Sequence, residues 1–174
     1  MEVLVVFKEL VIQSHKGPYS VFFSESPISS VSELYEGETH YIIDENVARL
    51  YKSELSDVLE HPNTIIIEAT ERNKSIDKTI PIFEQLVENK IRRNHVLIAI
   101  GGGIIQDITC FIASTLLRGV PWYLIPTTLL AQADSCIGSK SSINLAATKN
   151  IIGTFNPPKK IFIHSSFLDT LDNK

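Results

Sequence analysis

Hydrophobic and polar positions along this chain follow two alternating patterns. Short apolar runs, which are typical of buried strands, fall at residues 39–43, 64–67, 95–100, 122–125 and 160–164. Between them lie segments with one apolar face at helical spacing, at 45–59, at 75–91 and from the glycine triplet 101–103 to residue 116. Alternating strands and helices favour a mainly parallel sheet with helices on both faces. The expected fold class is therefore α/β.

The N-terminal region has a different pattern, because no helical segment separates its apolar runs. Residues 3–7 and 19–23 are strand-like runs that flank the turn-prone sequence His15-Lys16-Gly17-Pro18. Two strands joined by a turn of this kind usually pair with each other. We therefore expect a strand pair within residues 1–25.

Composition limits the class of protein. A chain of 174 residues is long enough for one well-packed domain and short for two. Its 44% hydrophobic and 21% charged residues are ordinary for a soluble globular protein. The net charge of −4 gives no support to nucleic acid or an anionic membrane as a partner. The first residues, MEVLVVFKEL, do not resemble a signal peptide, and no apolar run approaches the length of a membrane span.

The cysteines and histidines carry little signal. Cys110 falls on a predicted helix and Cys136 in a predicted loop, without the paired spacing of a disulfide framework. Two such thiols indicate a reducing, cytoplasmic setting. The five histidines are scattered, and no pair has the spacing of metal ligands. We expect no metal site in this chain.

The most informative stretch is LIAIGGGIIQDITCF, which predicts a strand, a glycine turn and a helix. This layout directs backbone N–H groups and a helix dipole at an anion, such as a cofactor phosphate. When the stretch is aligned with the pattern G-x-G-x-x-G from Gly101 and Gly103, however, Gln106 occupies the third glycine position. The dinucleotide pattern is therefore broken, and an ordinary tight turn remains an alternative.

Two earlier loops also follow predicted strands, at the edge where ligands of parallel sheets bind. In Asp44-Glu45-Asn46, the aspartate could accept hydrogen bonds from ribose hydroxyls, or it could simply cap the next helix. Glu71 and Lys74 are three residues apart before a predicted helix. They could point into one cleft, or they could form an ion pair in a solvated loop.

The longest connection runs from residue 125 to residue 160. A connection of this length inside a compact domain is usually functional. It is rich in small hydroxyl residues and contains Asp134, Lys140, Asn144, Lys149 and Asn150. Hydroxyls, amides and lysines over the carboxyl edge of a sheet suit a phosphorylated, polyhydroxylated substrate. The alternative, a polar surface loop, explains poorly why Thr127, Thr128 and Asp134 sit among leucines and isoleucines.

Taken in order, these segments resemble the 3-dehydroquinate synthase family of the sugar phosphate cyclases. The similarity spans nearly the whole chain and is densest in GGGIIQD, LLRGVPWYLIPTTLLAQADSCIGSK, KNIIGTF and FLDTL. Three residues, Thr70, Gln106 and Ser139, replace glycines that are usual in the family. The resemblance implies that residues 1–174 are a Rossmann-like NAD+-binding domain. It also implies a C-terminal helical domain whose glutamate and histidines bind zinc, beyond Lys174.

The resemblance implies a role for each motif residue. The cofactor positions fall on Asp44, Asn46, Glu71, Lys74, Gly101, Gly102, Gly103, Asp107, Thr127, Thr128, Lys140, Lys149, Phe167, Leu168, Asp169 and Thr170. The catalytic and substrate positions fall on Asp134, Lys140, Asn150 and Arg118.

The activity implied for the complete enzyme is cyclisation of a seven-carbon keto sugar-acid phosphate (DAHP) to 3-dehydroquinate, with elimination of phosphate. The enzyme would be a cytoplasmic homodimer in the shikimate pathway, and residues 1–174 alone would be inactive. The alternatives are another sugar phosphate cyclase, a glycerol- or iron-type alcohol dehydrogenase, and a non-catalytic nucleotide-binding module. The dehydrogenases share the glycine triplet and the P-T-T segment, but they usually continue differently from LLAQADSCIGSK.

Overall fold

A computed structural model describes residues 8–24, 28 and 35–171. Within these residues, one sheet is formed by β1 (Lys8–Ile12), β2 (Tyr19–Phe23), β3 (Thr39–Asp44), β4 (Thr64–Ile67), β5 (Val96–Gly101), β6 (Trp122–Pro126) and β9 (Lys160–Ile163). Its strand order is β1-β2-β9-β6-β5-β3-β4. β1 pairs with β2 in the antiparallel direction, and the other neighbouring strands are parallel. The expected mainly parallel sheet is confirmed.

The helices cover both faces of this sheet, as the alternation of elements predicts. They are α1 (Glu45–Leu50), α2 (Ser56–Leu59), α3 (Ile76–Glu88) and α4 (Gly103–Thr115). On one face, Tyr51, which follows α1, and Val58 of α2 belong to a buried cluster that includes residues of the sheet. On the other face, Leu86 of α3 and Ile108 of α4 belong to a second cluster. β5 lies between them with all six residues buried, which explains its continuous apolar run.

The prediction of one continuous helix over residues 45–59 is wrong, because the structure has two short helices there. α1 ends at Leu50, because the following residue Tyr51 has a φ of −113°, outside the helical region, and α2 begins at Ser56. Tyr51 and Leu55 are both buried, so the apolar spacing continues across the break. Leu50, which the helical pattern assigns to the buried face, is 46% exposed. The break therefore rotates the chain so that the polar residues 52–54 stay at the surface.

The expected strand at residues 3–7 lies outside the described residues. The observed partner of β2 is β1, at residues 8–12, in the register that pairs Leu10 with Val21. A turn that includes His15 and Gly17 joins them, as predicted, and Gly17 has a φ of +98°.

The long connection after β6 has regular structure that its sequence does not predict. It contains a π-helix, Ala131–Ser135, and an antiparallel hairpin of β7 (Lys140–Leu145) and β8 (Thr148–Phe155). Cys136, expected in a loop, ends the π-helix and is fully buried. The hairpin packs beside α4 on the face that carries α3, with Ile143 buried. No helix in the described ranges is long and apolar enough to cross a membrane.

Candidate functional site

The carboxyl edge of the sheet has a crevice between β3 and β5. The chain leaves β3 for α1 on one face and leaves β5 for α4 on the other. The register pairs Ile43 with Ile100, which brings Asp44 beside Gly101. Gly101 in turn pairs with Pro126 of β6, and Thr127 donates its backbone N–H to Gly101 O at 3.1 Å. Ligands of open α/β sheets bind at such a point.

The glycine turn forms the floor of this crevice. α4 begins at Gly103, and within the described residues no side chain caps its N-terminus, so its first N–H groups are free to bind a ligand. A Cβ on Gly102 would lie 2.7 Å from Thr128 Cγ2, whereas a Cβ on Gly103 would meet nothing in the described structure within 4 Å. Gly102 is therefore required by packing, and Gly103 leaves open backbone toward which an anion can approach.

Lys74 is the centre of a polar cluster beside the glycine turn. Its ammonium group lies 3.1 Å from Asp107 Oδ2, 2.8 Å from Asn150 Oδ1 and 3.7 Å from Glu71 Oε2. Lys74 is 7% exposed although it is a lysine. Charged side chains are rarely this buried unless they are paired. The i, i+3 ion pair of Glu71 and Lys74, one of the two alternatives, is present, although Lys74 is buried and not solvated. The two residues line neighbouring pockets and not one cleft.

Two residues of β7 complete the cluster. Ser142 donates its backbone N–H to Asp107 Oδ1 at 3.0 Å and its hydroxyl to Asp107 Oδ2 at 2.9 Å. Asn144 donates its side-chain amide to Glu71 Oε1 at 2.9 Å, and its Oδ1 accepts from the Asn150 backbone N–H at 2.8 Å. Asn144 is among the polar residues of the long connection that the sequence predicts to suit a substrate, but its contact with Glu71 is not predicted, and Ser142 with its contact to Asp107 is missed. A serine in a serine-rich segment has no sequence signal for this contact, which depends on the hairpin.

Two acidic residues of the site, Glu71 and Asp44, have opposite pKa shifts. The hydrogen bond from Asn144 lowers the pKa of Glu71, and the nearby ammonium groups of Lys74 and Lys149 lower it further. Burial raises the pKa of Asp44, against a smaller opposing effect of the hydrogen bond from the Asn46 backbone. That bond, 2.9 Å long, makes Asp44 the N-cap of α1. The helix-cap alternative for Asp44 is therefore correct, whether or not it also binds a ligand.

The predicted C-terminal segment, residues 167–170, lies beside α1. Phe167 is buried against the Tyr51 ring, with the ring centroids 4.8 Å apart. The Tyr51 hydroxyl donates to the Ser166 carbonyl at 2.8 Å and lies 3.0 Å from Thr170 Oγ1. Together with Asp169 these residues line a pocket of about 390 Å³, while Leu168 is not part of its lining. The pocket thus lies on the α1 face, away from the cluster around Lys74.

A larger cleft of about 810 Å³ joins the cofactor and substrate candidates. Lys74, Gly103 and Asp107 line one side, and Asp134 and Lys140 line the other. Lys149 instead lines a neighbouring pocket of about 640 Å³ with Glu71 and Asn144. The two pockets therefore bring together residues from three of the predicted segments: the loop of Glu71 and Lys74, the glycine turn with Asp107, and the long connection. Asp44 is in neither lining.

Comparison with known proteins identifies the family. A family model described as 3-dehydroquinate synthase N-terminal matches residues 64–174, which is more than half of the chain. The chain belongs to this family.

Among its curated relatives, 3-dehydroquinate synthase from Clostridium acetobutylicum is 37% identical over 174 residues, covering 95% of this chain and 49% of the relative. The enzyme of the same name from Alkaliphilus oremlandii is 39% identical, covering 95% and 48%. The chain therefore spans about half the length of the curated relatives it matches.

The solved structures agree with this family. The 2-epi-5-epi-valiolone synthase from Streptomyces hygroscopicus subsp. jinggangensis, solved with NAD+ and Zn²⁺, is 29% identical with a TM-score of 0.80, covering 88% of this chain and 45% of that one. Glycerol dehydrogenase from Schizosaccharomyces pombe reaches a TM-score of 0.56 at 21% identity, covering 81% and 34%. The second likeness shows the fold alone.

Arg118, which the family resemblance selects as a catalytic or substrate residue, does not line the cleft. Arg118 lies in the 3-10 turn Leu116–Arg118, after the far end of α4. α4 has 13 residues, and a rise of about 1.5 Å per residue separates Arg118 from the glycine turn by about 20 Å. Within one chain, Arg118 therefore lies toward the opposite edge of the sheet. Among the described residues, no group of three His, Cys, Asp or Glu side chains could hold a metal ion.

Proposed function

We propose that this chain is the NAD+-binding portion of a 3-dehydroquinate synthase, a lyase that cyclises DAHP with loss of phosphate in the shikimate pathway. The observation that carries the proposal is the Lys74–Asp107 ion pair beside an open glycine turn, in a chain of this family. The names of the curated relatives support the activity. The valiolone synthase structure, which was solved with NAD+ bound, supports the cofactor.

The crevice fits NAD+. The open backbone at Gly103 and the uncapped N-terminus of α4 in the described structure suit its pyrophosphate. Asp44, at the end of β3, would accept hydrogen bonds from ribose hydroxyls. The pocket beside Phe167 and Thr170 would hold a further part of the dinucleotide. When bound, NAD+ supplies a reversible hydride acceptor, and the protein orients it.

The other side of the cleft suits the substrate. The Lys140 ammonium group is exposed at the start of β7 and would bind the phosphate as a compact point charge. The Asp134 carboxylate would accept hydrogen bonds from hydroxyls and so fix the sugar's orientation. Asn150, whose Oδ1 lies 2.8 Å from the Lys74 ammonium group, would donate its side-chain N–H groups to the substrate from the cluster around Lys74. Arg118, remote from this cleft, would need a different route to the substrate.

Among the described residues, no group of three His, Cys, Asp or Glu side chains is arranged to bind a metal ion. We propose that zinc or another divalent metal is bound by a C-terminal helical domain, as the lengths of the relatives allow. We also propose that the complete enzyme is a cytoplasmic homodimer. Both cysteines are free and buried, which is consistent with the reducing setting that this proposal requires.

The test measures phosphate release from DAHP by the complete protein and by residues 1–174. We expect NAD+- and metal-dependent release by the complete protein and none by residues 1–174. Turnover by residues 1–174 at the rate of the complete protein would contradict the two-domain proposal. Glucose 6-phosphate serves as the comparison substrate, because the structure of 2-deoxy-scyllo-inosose synthase was solved with carbaglucose-6-phosphate. That enzyme is 22% identical to this chain, with a TM-score of 0.81, covering 96% of this chain and 47% of that one. A preference for glucose 6-phosphate would assign the chain to another sugar phosphate cyclase.

A further inference from the structure

Gln106 has a role that its position in the glycine turn motif does not suggest. It lies on the first turn of α4, next to Asp107, and only 8% of it is exposed. Its side-chain Nε2 donates to the Ser135 carbonyl at 2.6 Å, and its Oε1 accepts from the Ser135 hydroxyl at 3.0 Å. The amide thus makes two hydrogen bonds to one residue, 29 positions later in the chain.

Ser135 is the last residue of the π-helix Ala131–Ser135. In this helix the Cys136 backbone N–H donates to the Ala131 carbonyl at 3.0 Å, five residues back. π-helical turns are rare in proteins, and those that do occur often lie at functional sites. Contacts from outside the turn therefore bear on how firmly it is held.

The other end of the turn has a matching anchor. Gln132 Nε2 donates to the Pro126 carbonyl at 3.1 Å and to the His164 carbonyl at 2.9 Å, at the carboxyl ends of β6 and β9. Asp134 lies between the two anchored residues, and its exposed side chain lines the cleft. The sheet therefore fixes one end of the turn, and Gln106 fixes the other to the helix that carries the glycine turn.

We propose that Gln106 is a positioning residue that acts through Asp134. By holding the π turn against α4, Gln106 sets the place of the Asp134 carboxylate relative to Asp107 and Gly103 across the same cleft. The inference rests on the proposed function, since Asp134 matters to turnover only if the cleft binds the substrate. It goes beyond that function because both hydrogen bonds of the Gln106 amide go to Ser135, so that Gln106, although part of the cleft lining, acts through the position of the π turn.

The first test measures amide hydrogen exchange in residues 131–136. Gln106→Met keeps the length of the side chain and removes both hydrogen bonds. We expect exchange in this segment to become about tenfold faster, with the amides of α4 unchanged. Ser135→Ala, which removes only the hydroxyl, should give a smaller change in the same segment. Gln85→Met, an exposed glutamine on α3, is the matched control and should change neither. Unchanged exchange at residues 131–136 in Gln106→Met would overturn the inference.

The second test is a double-mutant cycle in the complete protein, with phosphate release as the readout. Gln106→Met should reduce kcat about tenfold and leave the KM for NAD+ within about twofold. In the Asp134→Asn background, Gln106→Met should have no further effect on kcat. Gln106 acts through the position of the Asp134 carboxylate, and this background already lacks that carboxylate. A full tenfold loss in that background would overturn the inference. If the unmodified protein releases no phosphate, the proposed function fails, and the exchange test alone decides the role of Gln106.

Discussion

Two lysines line the same cleft, and their surroundings are opposite. Lys74 is 7% exposed and is held by Asp107, Glu71 and Asn150. Lys140 is exposed at the start of β7, and within the described residues it forms no ion pair. The proposed cofactor side of the cleft is thus preorganised by contacts inside this chain. The proposed substrate side is open for a charge that arrives from outside. We therefore expect changes at Lys74 to reduce stability, and changes at Lys140 to reduce activity without reducing stability.

The largest expected effect on stability is at Lys74. Lys74→Met leaves the partly buried Asp107 carboxylate without its cation and should lower the free energy of unfolding by about 3 kcal/mol. Lys140→Met is the matched control and should change it by less than about 0.5 kcal/mol. Urea denaturation of residues 1–174 measures both. Equal losses for the two variants would remove the distinction between the two sides.

A buried histidine extends the comparison to the opposite edge of the sheet. His40 is fully buried, its Nε2 lies 3.1 Å from His95 Nδ1, and its own Nδ1 has no partner in the described structure. Unlike Lys74, it forms no ion pair within the described residues, and the nearby Glu38 carboxylate favours its cationic form only weakly. Burial, followed by the neighbouring His95 and His61, lowers the pKa of His40 to about 4.

The pH dependence of stability follows from this shift. Between about pH 4 and pH 6.5 the unfolded chain binds a proton at His40 that the folded chain does not. The contribution is therefore fully present above pH 6.5 and is lost as the pH falls toward 4, by about 2 to 3 kcal/mol. His40→Asn should flatten the urea-unfolding profile in this window, whereas His15→Asn, at an exposed position, should not. An unchanged slope in His40→Asn would contradict the assignment.

The glycine turn allows a smaller test in which stability and binding change in opposite directions. Gly103 is the first residue of α4, and a Cβ there meets no described atom within 4 Å. Gly103→Ala should therefore stabilise the fold by up to about 1 kcal/mol. It should weaken NAD+ binding to the complete protein about tenfold, since a methyl group would occupy the approach to the backbone.

Gly102→Ala is the companion variant. Its methyl group would meet Thr128 Cγ2 at 2.7 Å, so it should destabilise the fold by about 1 to 2 kcal/mol. Calorimetry with NAD+ and thermal unfolding distinguish the two variants. Undiminished NAD+ affinity in Gly103→Ala would show that the pyrophosphate does not approach this turn.

The same division between local and distant contacts explains what the sequence predicts about the fold. The bounds 64–67 of β4 are predicted correctly because a short isoleucine run between turns is a local signal. The break after α1 is missed because Tyr51 and Leu55 keep helical spacing across it. The hairpin is missed because β8 has no buried residue. Its sequence therefore lacks the alternation of apolar and polar residues that marks a strand.

The site follows the same rule. The glycine turn, Glu71 and Lys74 are predictable from motifs, since each lies within a few consecutive residues. The pair Lys74–Asp107 joins residues 33 positions apart, and the contact of Ser142 with Asp107 depends on the hairpin. In the sequence, Gln106 is visible only as a residue that replaces a glycine of the expected pattern. In the structure, it donates a hydrogen bond to the Ser135 carbonyl at the end of the π turn. Side-chain partners across a fold leave no periodic trace in the sequence.

The smallest expected effect on stability is at Asp134, where the comparison between the two sides can be tested most strictly. Asp134 is exposed, and in the described residues its carboxylate has neither an ion pair nor a hydrogen bond to lose. Asp134→Asn should therefore change the free energy of unfolding by less than about 0.5 kcal/mol. If the carboxylate orients the substrate, kcat/KM for phosphate release should nevertheless fall by about tenfold to a hundredfold in the complete protein. A loss of stability above about 1 kcal/mol would mean that Asp134 belongs to the preorganised side, and normal turnover would mean that it does not contact the substrate.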